Sequence, residues 1–376
     1  MPRISDDARE RIADLFDRHL EAGLHHGAQL AVYVDGERVI DLAGGVMDPD
    51  SGEEETAETR HLLFSCTKPY AAVSLHVLAD EGEVDYDDRV VDHWPEFAEE
   101  GTEKAEITVR QVLSHASGLH QGEIDERPDL WTDWDASVEA IEGMEPITTP
   151  GEVPAYHALT FGWLVGELVR RASGTPVEEF AAERIFEPLG MDHTGIGLRE
   201  DEADDVATLV GFEAFDRCRD PGEGLGDNAE VAAPFNEEAI HRAVIPAANG
   251  IGTARDMARF YACLANGGEL DGTRILSEET VETMARVQAE TDADGTLSRP
   301  ARFALGFWKG GTRVDPYGSL TPERVFGHAG LGSSVGWADP EENLAFSYVT
   351  NGVRDGTYEH VARVRSPADA VRLALE

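Results

Sequence analysis

The sequence predicts an α+β fold in which one antiparallel sheet, flanked by helices, is built from both ends of the chain around an inserted, mainly helical region. Three observations carry this. Residues 28–34 and 38–43 flank Asp35-Gly36 in the pattern of a strand hairpin. Helix start and stop signals crowd the middle of the chain. Short apolar runs separated by Gly, Pro or Asn return near its end.

The elements follow in order. A polar, acidic start runs into an amphipathic helix, then the hairpin, and residues 71–78 after Ser65 read as a buried helix. Thr108 precedes an apolar-periodic segment as a helix cap. The helix over 161–172 stops at Gly174, Pro176 stands in the first turn of the next, and the helix over 253–265 stops at Asn266-Gly267-Gly268. Strands are expected at 303–308, 325–328, 333–338 and 344–350. An amphipathic helix closes the chain, with Ser366 as its cap and Pro367 in its first position.

A chain of 376 residues suggests about two domains, yet no linker, repeat or low-complexity tract divides it. One interleaved unit fits better, with a sheet-containing part over roughly 1–65 plus 300–376 and a mainly helical part over 66–299. A cleft at their junction is the expected place for a site.

The 31 basic and 74 acidic residues give a formal charge of −43. Such a surface repels nucleic acid and anionic membrane, so neither is an expected partner. High charge alone would suggest disorder, but 41% hydrophobic content in regular amphipathic segments argues for a packed protein. The balance reads as adaptation to concentrated salt, where the Debye length shrinks to about 3 Å. No signal-peptide pattern opens the chain and nothing approaches a membrane span. Cys66, Cys218 and Cys263 have no metal or redox spacing, so the expected compartment is a reducing, salt-rich cytoplasm, with no metal or cofactor. Oligomeric state is not legible.

Chemistry concentrates in Phe64-Ser65-Cys66-Thr67-Lys68-Pro69. On a helix, i and i+3 share a face, so Lys68 can sit beside the Ser65 hydroxyl and help ionise it. Only three residues of this chain are lysines. A titratable amine retained among arginines suggests a need for one, since guanidinium keeps its proton. Lys104 and Lys309 lack a neighbouring serine and are expected on the solvated surface. Cys66 is expected to be a packing residue.

Two more segments complete a constellation. Pro150-Gly151-Glu152-Val153-Pro154-Ala155-Tyr156 places a tyrosine on a turn-rich loop, and Phe326-Gly327-His328-Ala329-Gly330-Leu331 is a strand of small residues along which a substrate could lie. The ordered set Ser65-x-x-Lys68, Tyr156 and His328-Ala329-Gly330 resembles the serine β-lactamase and penicillin-binding superfamily, in its class C-like branch, and most closely the family VIII carboxylesterases. The resemblance extends over nearly the whole chain, through residues 112–119, Pro188-Leu189-Gly190-Met191 and 250–254.

The resemblance implies a β-lactamase/transpeptidase-like fold with Ser65 as nucleophile, Lys68 as its proton-sharing partner and Tyr156 as the base. It implies an oxyanion hole from the N–H groups of Ser65 and Leu331, and substrate binding along His328, Ala329 and Gly330. Lys68 would draw the Tyr156 phenol down towards the working range. Two departures stand out. Ala158 replaces an Asn, and His328 replaces a lysine, leaving a charge that is absent or pH-dependent. Both favour esters over β-lactams. The expected function is therefore a carboxylesterase acting through an acyl-enzyme, with β-lactam or D-amino-peptide hydrolysis and a non-catalytic self-assembling scaffold as alternatives.

Gly332-Ser333-Ser334-Val335-Gly336 matches the G-x-S-x-G elbow of α/β-hydrolases, but that motif needs a strand–turn–helix and further strands beyond it. It reads as coincidence. His25, His26 and His115 read as surface or packing residues. Trp131, Trp134, Phe212, Phe215 and Phe235 could wall an acyl pocket or simply pack.

Overall fold

The computed structural model describes residues 3–203, 205–212, 231–312, 315–354 and 357–375. Helix α1 (Asp6–Glu21) is capped by the Ser5 hydroxyl, which accepts from the Ala8 N–H, and turns Ala8, Ile12, Phe16 and His19 inward. Strands β1 (Gly27–Val34) and β2 (Glu37–Asp48) follow. They meet at Asp35 and Gly36, both with positive φ (51° and 79°), the backbone a two-residue hairpin requires.

Strand β3 (Glu53–Glu54) ends one edge of the sheet. The late strands are β4 (Ala289–Thr291), β5 (Ala301–Phe303), β6 (Trp308–Lys309), β7 (Phe326–Ala329), β8 (Val335–Asp339) and β9 (Leu344–Thr350). Nine strands lie in the order β4-β5-β6-β7-β8-β9-β1-β2-β3, with antiparallel neighbours throughout. The junction of the two chain ends is β1 against β9, registered from Ala28↔Thr350 to Val34↔Leu344.

Both faces of that junction are covered, and the side chains alternate accordingly. Leu30 and Val32 join Phe16, Trp337 and Tyr348, with Val364 and Val371 of the closing helix. Ala31 and Tyr33 join Phe260 and Tyr261 of the helix Ala254–Ala265, in a core that continues into helix α2 (Lys68–Asp80) and the helix Thr160–Ser173. Gly336 lets that layer close: a Cβ there would lie 2.4 Å from the Tyr261 ring.

Two strand and helix expectations are corrected. The run at 303–308 is no single strand, because Gly306 (φ 82°) turns the chain between β5 and β6. The closing helix is Thr357–Ala374, so Pro367 lies inside it and not at its start. Proline there removes one helical N–H, but side chains beside it anchor the helix. Ser366 Oγ meets His19 Nε2 at 3.1 Å, and the Arg363 guanidinium bonds the carbonyls of Leu24, Gly332 and Gly352.

A small second sheet pairs His61–Leu62 with Gly250–Gly252, and those with Gly195–Ile196. It delivers the chain to Ser65 at the base of α2.

Candidate active site

The turn carrying Ser65 is held from several sides. The small sheet continues as Leu63 N–H donates to the Gly250 carbonyl (2.8 Å), and the Gly250 N–H donates to Thr67 Oγ1 (2.6 Å). Phe64, directly before Ser65, has φ 47° and ψ −134°, a conformation costly for a residue with a side chain. Packing holds it there: its ring meets Phe235 edge-on at 5.2 Å, and Phe235 lies against Trp131 at 5.4 Å. Ser65–Thr67 forms one turn of 3-10 helix that runs into α2, so the i, i+3 relation of Ser65 and Lys68 survives.

Lys68 is fully buried, and its Nζ lies 3.0 Å from Ser65 Oγ, 2.6 Å from the Ala158 carbonyl and 3.0 Å from the Ala247 carbonyl. Burial pushes the amine down to about 7, against a smaller opposing pull from Asp125. When the ammonium loses a proton, two N–H groups can stay on the carbonyls and the lone pair then faces Ser65.

Tyr156, on the loop before the helix Thr160–Ser173, donates from Oη to Ser65 Oγ at 2.9 Å. The expectation that Lys68 lowers its phenol is not met. Burial raises the Tyr156 phenol above its ordinary value, and the Lys68 Nζ sits over the ring face, 4.9 Å from its centroid.

Of the two states expected for His328, an absent or a pH-dependent charge, the structure favours the first. His328 is fully buried, burial holds its imidazole at about 3, and its Nδ1 lies 2.9 Å from the Ala329 carbonyl. It therefore presents no cation at ordinary pH. The glycines of this strand make room for protein atoms. A Cβ on Gly327 would fall 2.2 Å from the Gly336 carbonyl oxygen, and one on Gly330 would meet Ser334 Oγ at 2.2 Å and the Leu63 carbonyl oxygen at 2.5 Å. Strand β6 pairs with β7 only at Phe326 and Gly327. The stretch of Ala329, Gly330 and Leu331 thus continues beyond that pairing, packed beside the Ser65 turn.

Cys66 is a buried packing residue, its thiol pushed up to about 12 by burial and donating to the His328 carbonyl (3.4 Å). Ser334 is also buried, and its hydroxyl donates to the Leu63 carbonyl at 2.8 Å. The G-x-S-x-G match lies between β7 and β8, strand to strand, so it has no elbow geometry.

The chain as a whole is matched by known proteins. A family model described as Beta-lactamase covers residues 12–367. The chain belongs to that beta-lactamase family. It is 36% identical over 340 residues to the "Esterase/beta-lactamase LipL" of Mycobacterium tuberculosis, covering 86% of this chain and 77% of the relative. Its fold is similar to a family VIII carboxylesterase (TM-score 0.84, 30% identity, 99% of both chains) and to a penicillin-binding protein homologue from Caulobacter crescentus (TM-score 0.83, 32% identity, 99% of both chains). Within this family the chain is a serine hydrolase.

In this beta-lactamase family member Lys104 and Lys309 are buried too, not on the expected solvated surface. The Lys104 ammonium donates to the carbonyls of Ile141 (2.9 Å) and Glu142 (2.7 Å), and that of Lys309 to the Arg324 carbonyl (2.8 Å). Burial brings both amines down to about 8. All three lysines of the chain thus hold backbone carbonyls inside the protein, where a compact ammonium fits better than a planar guanidinium.

Trp131 and Trp134 are tied by their indole N–H groups to the Ile124 carbonyl (2.7 Å) and to Glu167 (3.1 Å). Phe215, Cys218 and the Phe212 side chain lie outside the described residues. His25 packs under the sheet against Tyr348, and His115 is buried beside Tyr156. Sequence reasoning missed Asp125, Asp294 and the carbonyls of Ala158 and Ala247. Backbone acceptors leave no trace in residue identity.

Proposed function

We propose that this chain is a carboxylesterase for small esters that works through an acyl-enzyme on Ser65. The observation that carries it is the convergence of Lys68 Nζ and Tyr156 Oη on one serine oxygen. Neutral Lys68 takes the Ser65 proton as Oγ attacks the ester carbonyl. The N–H groups of Ser65 and Leu331 stabilise the oxyanion. As the intermediate collapses, the alkoxide leaves with its bonding electron pair and takes the Tyr156 proton, and the Lys68 ammonium restores the phenol. Water then attacks the acyl-enzyme, its proton passing to Lys68, and as the bond to Ser65 Oγ breaks and the acid is released the Lys68 ammonium returns that proton to Oγ.

Tyr156 is thus the proton donor to the leaving group and Lys68 the base, a division supported by their opposite displacements. Ala158 and the neutral His328 favour esters over β-lactams. A β-lactamase reading has one support, the paired activities in the name of the mycobacterial relative. The segment at His328, Ala329 and Gly330 flanks the substrate with its backbone.

The protein works in a salt-rich cytoplasm. Supporting this are its charge of −43 and a surface on which every basic residue other than histidine is arginine. The deciding experiment is hydrolysis of p-nitrophenyl acetate in concentrated KCl. An early burst of nitrophenol equal to enzyme, absent from Ser65→Ala, is expected; no turnover by the wild type would leave the scaffold reading.

A further inference from the structure

The loop that carries Tyr156 presents three successive backbone N–H groups, and each has an acceptor fixed elsewhere in the fold. Ala155 N–H donates to the His115 carbonyl (2.9 Å), Tyr156 N–H to Asp294 Oδ2 (2.9 Å), and His157 N–H to His115 Nδ1 (3.1 Å). His115 supplies two of the three because its backbone is left-handed, with φ 58°, an unusual state for a non-glycine residue. Its ring is buried and packs 4.9 Å from Tyr156, 5.0 Å from Phe161 and 4.8 Å from Phe303. Asp294 is fixed in turn, its Oδ1 accepting from the N–H groups of Thr296 (2.9 Å) and Leu297 (2.7 Å).

We infer that His115, with Asp294, is the positioning device for Tyr156, holding the phenol on Ser65 Oγ so that it can protonate the leaving oxygen. The inference rests on the proton-donor role proposed for Tyr156. Neither residue touches the reacting atoms. An imidazole that accepts at Nδ1 is neutral and carries its proton on Nε2. Burial holds His115 well below its usual range, which keeps that acceptor in place.

Leaving-group dependence tests this, because nitrophenolate departs without help whereas an alkoxide needs a proton. p-Nitrophenyl acetate and ethyl acetate give the same acyl-enzyme, so kcat/KM compares acylation alone. His115→Gly keeps the carbonyl and the left-handed backbone while deleting the ring. It is expected to lower kcat/KM for ethyl acetate by about 10²-fold, the scale of general-acid help, and to lower that for p-nitrophenyl acetate much less. Tyr156→Phe is expected to show the same bias. His115→Asn, which tolerates positive φ and offers Oδ1 in place of Nδ1, should restore most of the loss. Asp294→Ala, acting from another loop, should repeat the bias and serves if the glycine variant does not fold. Equal losses on both esters in the His115 and Asp294 variants, with the bias intact in Tyr156→Phe, would overturn the positioning role alone. Absence of bias in Tyr156→Phe would overturn the reading of Tyr156 and this inference together.

Discussion

Lys68 Nζ lies 3.0 Å from Ser65 Oγ, with two further contacts to the carbonyls of Ala158 and Ala247. Such a cage leaves the neutral amine one direction in which to act as a base. The desolvation that brings Lys68 to about 7 makes that form available under ordinary conditions.

A pH profile follows directly. kcat/KM for a neutral ester should rise through about pH 7 as Lys68 loses its proton, then level off. His328, held at about 3, should add no step above pH 5. A profile flat from pH 5 to 9 would remove Lys68 as the base.

Ester turnover should exceed turnover of nitrocefin in kcat/KM, since no amide stands at Ala158 and no cation at His328. Ala158→Asn should move the ratio towards nitrocefin. A wild type better on nitrocefin would reverse the ranking of substrates.

The buried lysines predict a stability trend with a definite sign. Lys104 and Lys309 titrate near 8 when folded and near 10.5 as reference amines, so the unfolded chain binds more protons between those values. Stability should therefore rise with pH across that window, the cost being fully present below it. Melting temperatures from pH 7.5 to 9.5 check this. Lys104→Met should flatten the rise and lower the melting point by leaving the Ile141 and Glu142 carbonyls unbonded.

Salt dependence separates screening from apolar burial. With a charge of −43, the melting temperature and esterase activity should both climb as KCl increases from tenths of molar to several molar. Sulfate adds a second effect through stronger burial, so salts are compared at equal ionic strength. Equal stability and activity in dilute buffer would assign the acidic surface to another cause.

Much of the fold was legible because local chemistry and tertiary structure agree. Asp35-Gly36 marked a hairpin that formed, Thr108 caps the helix it announced, and the helix expected from Thr253 starts at Ala254 with Thr253 as its cap. Pro367 misled because the anchors that tolerate it, His19 and the carbonyls bound by Arg363, are remote in sequence. The Ser65–Lys68 pair could be read from spacing. The direction of the Tyr156 phenol could not, since burial outweighs a nearby charge only once the whole site has closed around it. For the same reason Lys104 and Lys309 looked like surface residues until their carbonyl partners were seen.

Covalent capture tests the central claim most directly. The protein, in concentrated KCl, is reacted with a fluorophosphonate, digested and mapped by mass spectrometry. A single adduct on the peptide containing Ser65, lost in Ser65→Ala and retained in Ser334→Ala, is the predicted result. An adduct on Ser334, or ester turnover that survives Ser65→Ala, would contradict it.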